Sequence, residues 1–403
     1  MFQRKYRSVK EVGTERTITD FPFDANVHGF QIDIDTDVSS AYSLDTAYAR
    51  LEQALQANEQ AMLREAIRKH LTCGEVTIQS PVTITLIQCG TQQGIFKIAC
   101  TTDRGDVALV AAMSRAEVMN DFVLHDHETL CMMRSTEATA LKMDEAGEAY
   151  ASVASFPVHY VASENEESRP FFHIAPFMEG YAEVNSEAEA AEDCGIEDVD
   201  RRIIMNGYNQ GTHIEIETKL ESTRIRNKIA MHMLMTAIRC KMVFCPSLQA
   251  GDYIYSKEKD HLVLHCFRPN KGRENVFFGD VMRDVTVELS DGKTMDQATQ
   301  ALAFELLTLL FWEEENNEHV QGSLNGVKYF ALSSMDLFDL IRSICTDHSD
   351  VISKTTMEEA LVVVNECVRE VKNTMDKDSE VGRAMSQRLA IVNLAFRTCR
   401  QTG

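Results

Sequence analysis

The sequence is short of basic residues. It holds 40 Lys and Arg against 62 Asp and Glu among 403 residues, and its formal net charge is −22. A surface this acidic repels the phosphate backbone of nucleic acids and the anionic headgroups of membranes, so both are unfavourable partners. The charge favours instead a protein partner with a basic surface.

Long apolar runs and closely paired cysteines are also missing. No stretch reaches the ~18 apolar residues typical of a transmembrane helix, so no membrane span is expected. The 11 cysteines include no CxxC pair, which excludes zinc-ribbon spacing and a compact disulfide framework. No apolar run follows the basic N-terminus. We therefore expect a cytoplasmic protein with reduced thiols, or a secreted effector if a leader has been removed.

The first half of the chain alternates between helix and strand patterns. An alternating piece at 30–34 predicts one strand, and a helical period then runs from the N-cap candidate Ser43 to near Gly74. A further helix is expected at 123–143. Segments rich in β-branched residues and bounded by turn residues predict strands at 82–87, 95–100, 107–112, 156–161 and 170–177.

The second half is mainly helical in pattern. Residues 183–200 carry eight acids and no base, which predicts a solvated, mobile insertion. A short hairpin is expected at 252–267, and a capping box at Thr356 opens one helix. Apolar residues at helical spacing predict the other helices at 223–242, 294–312, 335–345 and 378–399.

This order of elements predicts an α+β protein with two lobes. The expected divisions are an N-terminal extension with a long helix at 1–79, a β-rich lobe with its hinge at 80–180, an acidic insertion at 181–222, and a helical lobe with C-terminal helices at 223–403.

Four short motifs lie along this order at suggestive spacing. They are the turn Gly90-Thr91-Gln92-Gln93-Gly94, the strand Val107-Ala108-Leu109-Val110, the segment 171–180 and the triplet Cys266-Phe267-Arg268. Together they resemble the glycine-rich turn, third strand, hinge and Asp-Phe-Gly triplet of protein kinases. The resemblance covers roughly residues 80–370. It implies a bilobal protein-kinase-like fold, with a small antiparallel β lobe, a larger helical lobe and an N-terminal helical extension packed on the small lobe.

The resemblance also implies a degenerate active site. The strand lysine that holds ATP phosphates corresponds to Val110, and the catalytic-loop aspartate that accepts a proton corresponds to Ser247. The metal-binding aspartate corresponds to Cys266, and magnesium prefers oxygen ligands to a thiol. We therefore expect no catalytic residues, no metal and no cofactor, with Mg²⁺ excluded and at most weak ATP binding.

A residual nucleotide site stays open as an alternative. Lys97, on the second strand, is similar in place to the phosphate-binding lysine of the with-no-lysine kinases, although a plain exposed strand lysine is the favoured interpretation. The hinge backbone would hold an adenine ring. The residues that would form this site are Gly90, Gly94, Lys97, Glu128, Phe177, Met178 and Asp252.

The expected function is that of a catalytically inactive pseudokinase, acting as a protein-binding scaffold or allosteric regulator of a basic protein or another kinase. The alternative is an ATP-binding enzyme with non-standard transfer chemistry, either nucleotidylation or glutamylation, or with-no-lysine phosphotransfer through Lys97. Two other possibilities are weaker. His127 and Cys131 share a helix face and could imitate a metal site, and a Cys/His protease has no local signature here.

Overall fold

A computed structural model describes residues 2–12, 15–22, 42–89, 93–121, 123–124, 127–128, 130–131, 161–162, 171–188, 201–206, 213–215, 219–240, 253–264, 295–311, 334–347, 349, 352–374 and 380–402. The strand expected at 30–34 and most of the helix expected at 123–143 lie outside these residues. So do Gly90, Ser247, Asp252 and Cys266.

The described residues form twelve strands and six α-helices, with one 3₁₀ turn at Glu117–Met119. The strands are β1 (Phe2–Val12), β2 (Glu15–Pro22), β3 (Val82–Cys89), β4 (Gln93–Thr102), β5 (Gly105–Ser114), β6 (Val161–Ala162), β7 (Phe172–Pro176), β8 (Ala182–Ala188), β9 (Arg201–Asn206), β10 (His213–Glu215), β11 (Tyr253–Ser256) and β12 (His261–Leu264). The helices are α1 (Leu44–Leu71), α2 (Lys219–Cys240), α3 (Gln297–Phe311), α4 (Ser334–Asp347), α5 (Lys354–Thr374) and α6 (Glu380–Thr402). The chain is thus a mixed α+β protein.

The first sheet has seven strands in the order β2-β1-β3-β4-β5-β7-β6. Strands β3, β4 and β5 are consecutive antiparallel neighbours, as their alternating β-branched pattern predicts. Burial alternates strictly along β4, so Phe96 and Ile98 point to one face and Lys97 and Ala99 to the other. The first face is apolar and carries the core, while the second is free to form a site.

Helix α1 covers the apolar face of this sheet, in agreement with the expectation that the N-terminal helix packs on the β lobe. Tyr48, Leu51 and Leu55 are fully buried in one cluster with Phe96 and other sheet residues. The Ser43 side chain accepts a hydrogen bond from the Thr46 amide at 3.1 Å, which confirms it as the N-cap.

The long helical period does not give one continuous helix. Residues 57–60 have non-helical backbone angles, and Asn58, Glu59 and Gln60 all have positive φ. Non-glycine residues seldom adopt this region, so the break costs free energy locally. Burial of Leu63, Ala66 and Ile67 after the break keeps the second half of α1 on the same core.

An N-terminal hairpin extends the sheet, which the sequence patterns did not predict. Strand β1 pairs antiparallel with β2 and parallel with β3. Arg4 holds the hairpin to α1 through two hydrogen bonds to the Glu52 carboxylate, at 2.8 and 2.9 Å. Such a two-pronged contact fixes orientation as well as distance.

The second sheet has five strands in the order β10-β9-β8-β11-β12. The hairpin expected at 252–267 is present as β11 and β12. The acidic segment 183–200 was expected to be a solvated, mobile insertion, but its first six residues, 183–188, belong to a paired strand, and residues 189–200 lie outside the described residues. That strand is β8, which pairs with both β9 and β11. Acidic side chains remain compatible with a strand when pairing satisfies the backbone on both sides.

The helices form a second apolar core with the inner residues of β11 and β12. The N-cap of α5 is Ser353, three residues before Thr356, which was expected to be the cap. The Ser353 hydroxyl accepts a hydrogen bond from the Thr356 amide at 3.1 Å. Within the described ranges, no helix has both the length and the apolar character needed to cross a bilayer.

Candidate functional site: a cleft beside the turn between the two sheets

A short turn joins the first sheet to the second. Strand β7 ends at Pro176, and the Phe177 amide still donates to the Ala108 carbonyl of β5 at 3.1 Å. The chain then turns through Gly180, whose φ of +77° lies in the left-handed region that glycine enters without strain. It enters β8 directly after Tyr181. The segment expected to be a hinge therefore does connect the two sheets.

The cleft beside this turn has a volume of about 650 Å³. One wall is the face of β4 and β5 that points away from α1. The turn forms a second wall, and the loop between β11 and β12 contributes Lys259. The residues that carry the argument below are Lys97, Cys100, Phe177, Met178, Glu179, Tyr181 and Lys259.

Lys97 is the central charged residue of this cleft. It lies directly across the strand pair from Val110, which is in turn paired with Ala175 of β7. Its Nζ atom is 3.4 Å from the Glu179 carboxylate and 4.3 Å from the centroid of the Phe177 ring. Lys97 therefore links the sheet to the turn, and its ammonium group already contacts two side chains, those of Phe177 and Glu179.

The other residues of the expected nucleotide site do not all join this group. Phe177 and Met178 line the cleft with Lys97. Gly94 was expected in the turn after β3, but it lies within β4, paired with Cys89 and Met113. A strand residue with both neighbours paired cannot belong to a phosphate-cradling loop.

Glu128 is exposed and does not line this cleft, and the carboxylate that contacts Lys97 is that of Glu179. Of the remaining expected residues, Gly90, Asp252, Ser247 and Cys266 lie outside the described residues. In the sequence, Asp252 directly precedes β11 and Cys266 follows β12 by two residues.

A cluster of charges fixes the turn of the hairpin of β11 and β12, and sequence reasoning missed it. Asp260, at the turn, contacts Arg224 of α2 and lies 2.9 Å from the Lys228 ammonium. The Tyr255 hydroxyl donates to the same carboxylate at 2.7 Å. Arg224 and Lys228 are four residues apart on one helix face, and this spacing was the sequence feature that could have indicated a shared acidic partner.

The Asp260 carboxylate is strongly favoured in its ionised form. Partial burial works against the charge, but hydrogen bonds from Arg224, Tyr255 and Lys228 outweigh it and lower the pKa of Asp260 to about 2. Burial, with the contribution of Asp260, raises the pKa of Tyr255 to about 12. Neither group changes its charge near neutral pH, so this cluster anchors the hairpin and performs no proton transfer.

Tyr181 connects the cleft to this hairpin. Its ring packs with Ile254 and Val263 in a small apolar cluster, and its hydroxyl lies 2.6 Å from the His261 ring. The Lys259 ammonium is 5.2 Å from the centroid of the Tyr181 ring. The turn is thus held on one side by Lys97 and on the other by the hairpin.

The cleft offers little reactive chemistry. The Cys100 side chain lies on the core face of β4 with Phe96 and Ile98. Burial, assisted by the charge of Asp106, raises the pKa of its thiol to about 11, so this sulfur is not a thiolate at neutral pH. Among the described residues, no three His, Cys, Asp or Glu side chains are grouped to hold a metal ion. The contact of His127 with Cys131, 3.8 Å from sulfur to ring nitrogen, is therefore a pair without a third described donor.

Comparisons with known proteins place the chain in no family. No family model matches it, and no curated protein matches it. A solved structure with some similarity is a Neurospora crassa complex of PAN2 (WD40-CS1) with PAN3 (pseudokinase and C-term). The match has 10% identity and a TM-score of 0.21, and it covers 82% of this chain and 65% of that chain. A TM-score this low does not establish a common fold, so nothing about activity or partners follows from it.

Proposed function

We propose that the protein is a catalytically inactive, kinase-like protein with a bilobal arrangement, which acts as a protein-binding scaffold or allosteric regulator. The observation that carries the proposal is the state of Lys97. The cleft keeps one lysine on its strand wall, and this lysine is stacked on Phe177 and paired with Glu179. A cation used in this way contributes to holding the turn, and a phosphate would have to compete with the Glu179 carboxylate for it.

The chemistry of phosphoryl transfer explains why this matters. That reaction depends on positioning and on stabilising charge that develops on the transferred group, with metal ions and cationic side chains supplying most of the effect. The residue beside Lys97 at the position of the kinase strand lysine is Val110, which has no charge. Gly94, one of the two glycines expected in the phosphate-binding turn, belongs to β4. Under this proposal, the cleft has the strands and the turn but lacks the charged side chains that phosphoryl transfer requires.

Thermal melting with and without Mg·ATP tests the proposal. A ligand that binds the folded state stabilises it by RT ln(1 + [L]/Kd), which is about 2.7 kcal/mol at a hundredfold excess over Kd. We expect no change in Tm for the wild-type chain at millimolar Mg·ATP. A rise in Tm that depends on ATP concentration and is abolished by Lys97→Met would contradict the proposal.

One observation favours a second candidate, a residual ATP-binding enzyme. Lys97, Phe177 and Met178 were all expected at a nucleotide site, and they do line one cleft of suitable size. For this function, ATP must displace Glu179 from Lys97. Glu179→Gln should then increase ATP affinity, whereas under the scaffold proposal neither the wild-type chain nor this variant binds ATP.

A further inference from the structure

The last two helices form an antiparallel pair with a defined register. At one end, Arg400 of α6 pairs with Glu358 of α5 at 2.7 Å. Near the middle, the amides of Asn365 and Asn393 exchange hydrogen bonds at 3.0 and 3.3 Å. These contacts leave the outer sides of both helices facing solvent along their length.

A groove of about 400 Å³ lies between these helices beyond the asparagine pair. Its lining is largely apolar, carries the two bases Arg369 and Lys372, and contains no carboxylate. Lys372 is exposed, and none of the described carboxylates forms an ion pair with it. The Arg369 guanidinium forms ion pairs with Glu366 at 2.5 Å and with Glu370 at 3.2 Å, so its charge is partly neutralised. The lining residues are Asn365, Val368, Arg369, Lys372, Asn373, Ser386, Leu389, Ala390 and Asn393.

Exposed apolar side chains flank the same groove. Among the described residues, three large apolar side chains are exposed, and two of them lie on this helix pair: Val362, at 49%, and Leu394, at 57%. Val362 shares a helix face with Asn365 and Arg369, and Leu394 shares one with Ala390. Exposed apolar residues grouped at one place, with polar residues around them, mark interaction surfaces more often than scattered ones do.

The charge of α6 is opposite to that of the whole chain. This helix contains Arg383, Arg388, Arg397 and Arg400 with a single acid, Glu380, although the protein carries a net charge of −22. Arg388 is buried, with its Nε donating to the Leu310 carbonyl at 2.6 Å, and the other three arginines are exposed. Helix α5 adds four glutamates, and three of them pair with Arg369 or Arg400. No described carboxylate forms an ion pair with Lys372, Arg383 or Arg397, and over distances shorter than the Debye length such local charges attract an acidic partner.

We infer that the surface formed by α5 and α6 docks an acidic amphipathic helix of a partner protein. This inference rests on the proposed scaffold function and names a surface for it. Apolar residues of the partner helix would cover Val362 and Leu394 along one stripe, and its carboxylates would meet Lys372, Arg369 and Arg397. It differs from the expectation of a basic partner, which followed from net charge alone.

Fluorescence anisotropy with the full chain tests this docking surface. The probe is a fluorescein-labelled, helix-stapled peptide of about four turns, with leucines along one stripe and glutamates flanking them. The control peptide has the same leucines with lysines in place of the glutamates. We expect the acidic peptide to bind, the basic peptide to bind at least about tenfold more weakly, and the difference to shrink as salt is raised.

Variants locate the binding to this groove. Lys372→Glu and Leu394→Asp should each weaken the acidic peptide about tenfold, a difference within reach of one charge reversal or one lost apolar anchor. Arg342→Glu, on α4, is the matched control, because Arg342 is also exposed and should leave binding unchanged. Arg369 is not used, because its charge is already shared between Glu366 and Glu370.

Three results would overturn the inference: no binding of the acidic peptide, equal binding of both peptides, or equal effects of Lys372→Glu and Arg342→Glu. Sedimentation of the wild-type chain tests for a fourth result that would overturn it. A concentration-dependent dimer that Leu394→Asp converts to monomer would assign the surface to a second copy of the chain. The ATP measurements are independent of all four results. If the peptide experiment fails and ATP does not stabilise the chain, the proposed non-catalytic function still stands and only the docking surface is rejected.

Discussion

Two charged clusters lie beside the cleft, one at the turn between the sheets and one at the hairpin of β11 and β12, and they differ in strength. The Lys97 cluster consists of Lys97, Phe177 and Glu179, and its carboxylate is 73% exposed with a single contact at 3.4 Å. In the Asp260 cluster, one carboxylate receives contacts from Arg224, Lys228 and Tyr255, and the Lys228 side chain is only 7% exposed. Water screens the first cluster far more than the second.

The comparison shows where the molecule is rigid. The hairpin of β11 and β12 is fixed to α2 by several convergent hydrogen bonds, so one wall of the cleft has a set position. The turn at 177–181 is held to β4 and β5 by a weak ion pair, one ring contact and one amide. A partner that regulates this protein would therefore move the turn more easily than the hairpin.

The largest effect is expected from Asp260→Asn. Asparagine tolerates the left-handed backbone at this position, where φ is +46°, so the substitution removes the charge without adding backbone strain. It leaves the nearly buried Lys228 without its counter-ion, and we expect a loss of about 2 kcal/mol in the free energy of unfolding, between the values for exposed and buried pairs.

Urea denaturation measures this loss, and Asp339→Asn is its control. Asp339 forms a pair with Arg342 at 3.4 Å on α4, and both side chains are more than half exposed. That substitution should cost less than about 0.5 kcal/mol. Equal losses for the two variants would show that the Asp260 cluster is no stronger than an ordinary surface pair.

A smaller effect follows from pH. The pKa of Asp260 is lowered from 3.8 to about 2 in the folded state, so its stabilising contribution is present above about pH 4 and is lost as the pH falls towards 2. The difference in unfolding free energy between wild type and Asp260→Asn should therefore stay constant from pH 7 to about pH 5. It should then shrink by about 1 kcal/mol on further acidification, after allowance for screening at this half-exposed group. A difference that does not change with pH would contradict the assignment.

The smallest effect is expected within the Lys97 cluster. A double-mutant cycle of Lys97→Met and Glu179→Gln should give a coupling free energy of no more than about 0.5 kcal/mol, which decreases in high salt. Urea denaturation at low and high salt measures it. A coupling as large as that between Lys228 and Asp260 would remove the contrast between the two clusters.

Part of this architecture could be predicted from local sequence alone. The alternation in 82–112 specifies three antiparallel strands, and Ser43 specifies the start of α1. In contrast, β1 is rich in charged residues and becomes a strand through its parallel pairing with β3, which is a tertiary effect. Strand β8 has an acidic composition and is likewise determined by its neighbours β9 and β11.

The same limit applies to the cleft. Lys97, Phe177 and Met178 could be selected because each lies at a position that a kinase-like order makes important. Glu179 and Lys259 could not, because their role depends on which residues lie opposite them in space. Gly94 was misplaced for a related reason: the pairing of β4 with β5 begins at Gln93, two residues before the apolar segment 95–100 that predicted this strand.

The central claim is that this cleft does not catalyse the transfer of a phosphoryl or nucleotidyl group from ATP. Incubation with labelled ATP tests it most directly. The full chain is incubated with Mg²⁺ and either γ-labelled or α-labelled ATP, with a general protein acceptor and with itself as acceptor. The account predicts no label on protein above that of an Asp252→Ala, Lys97→Met double variant. Incorporation of either label that this double variant abolishes would contradict it.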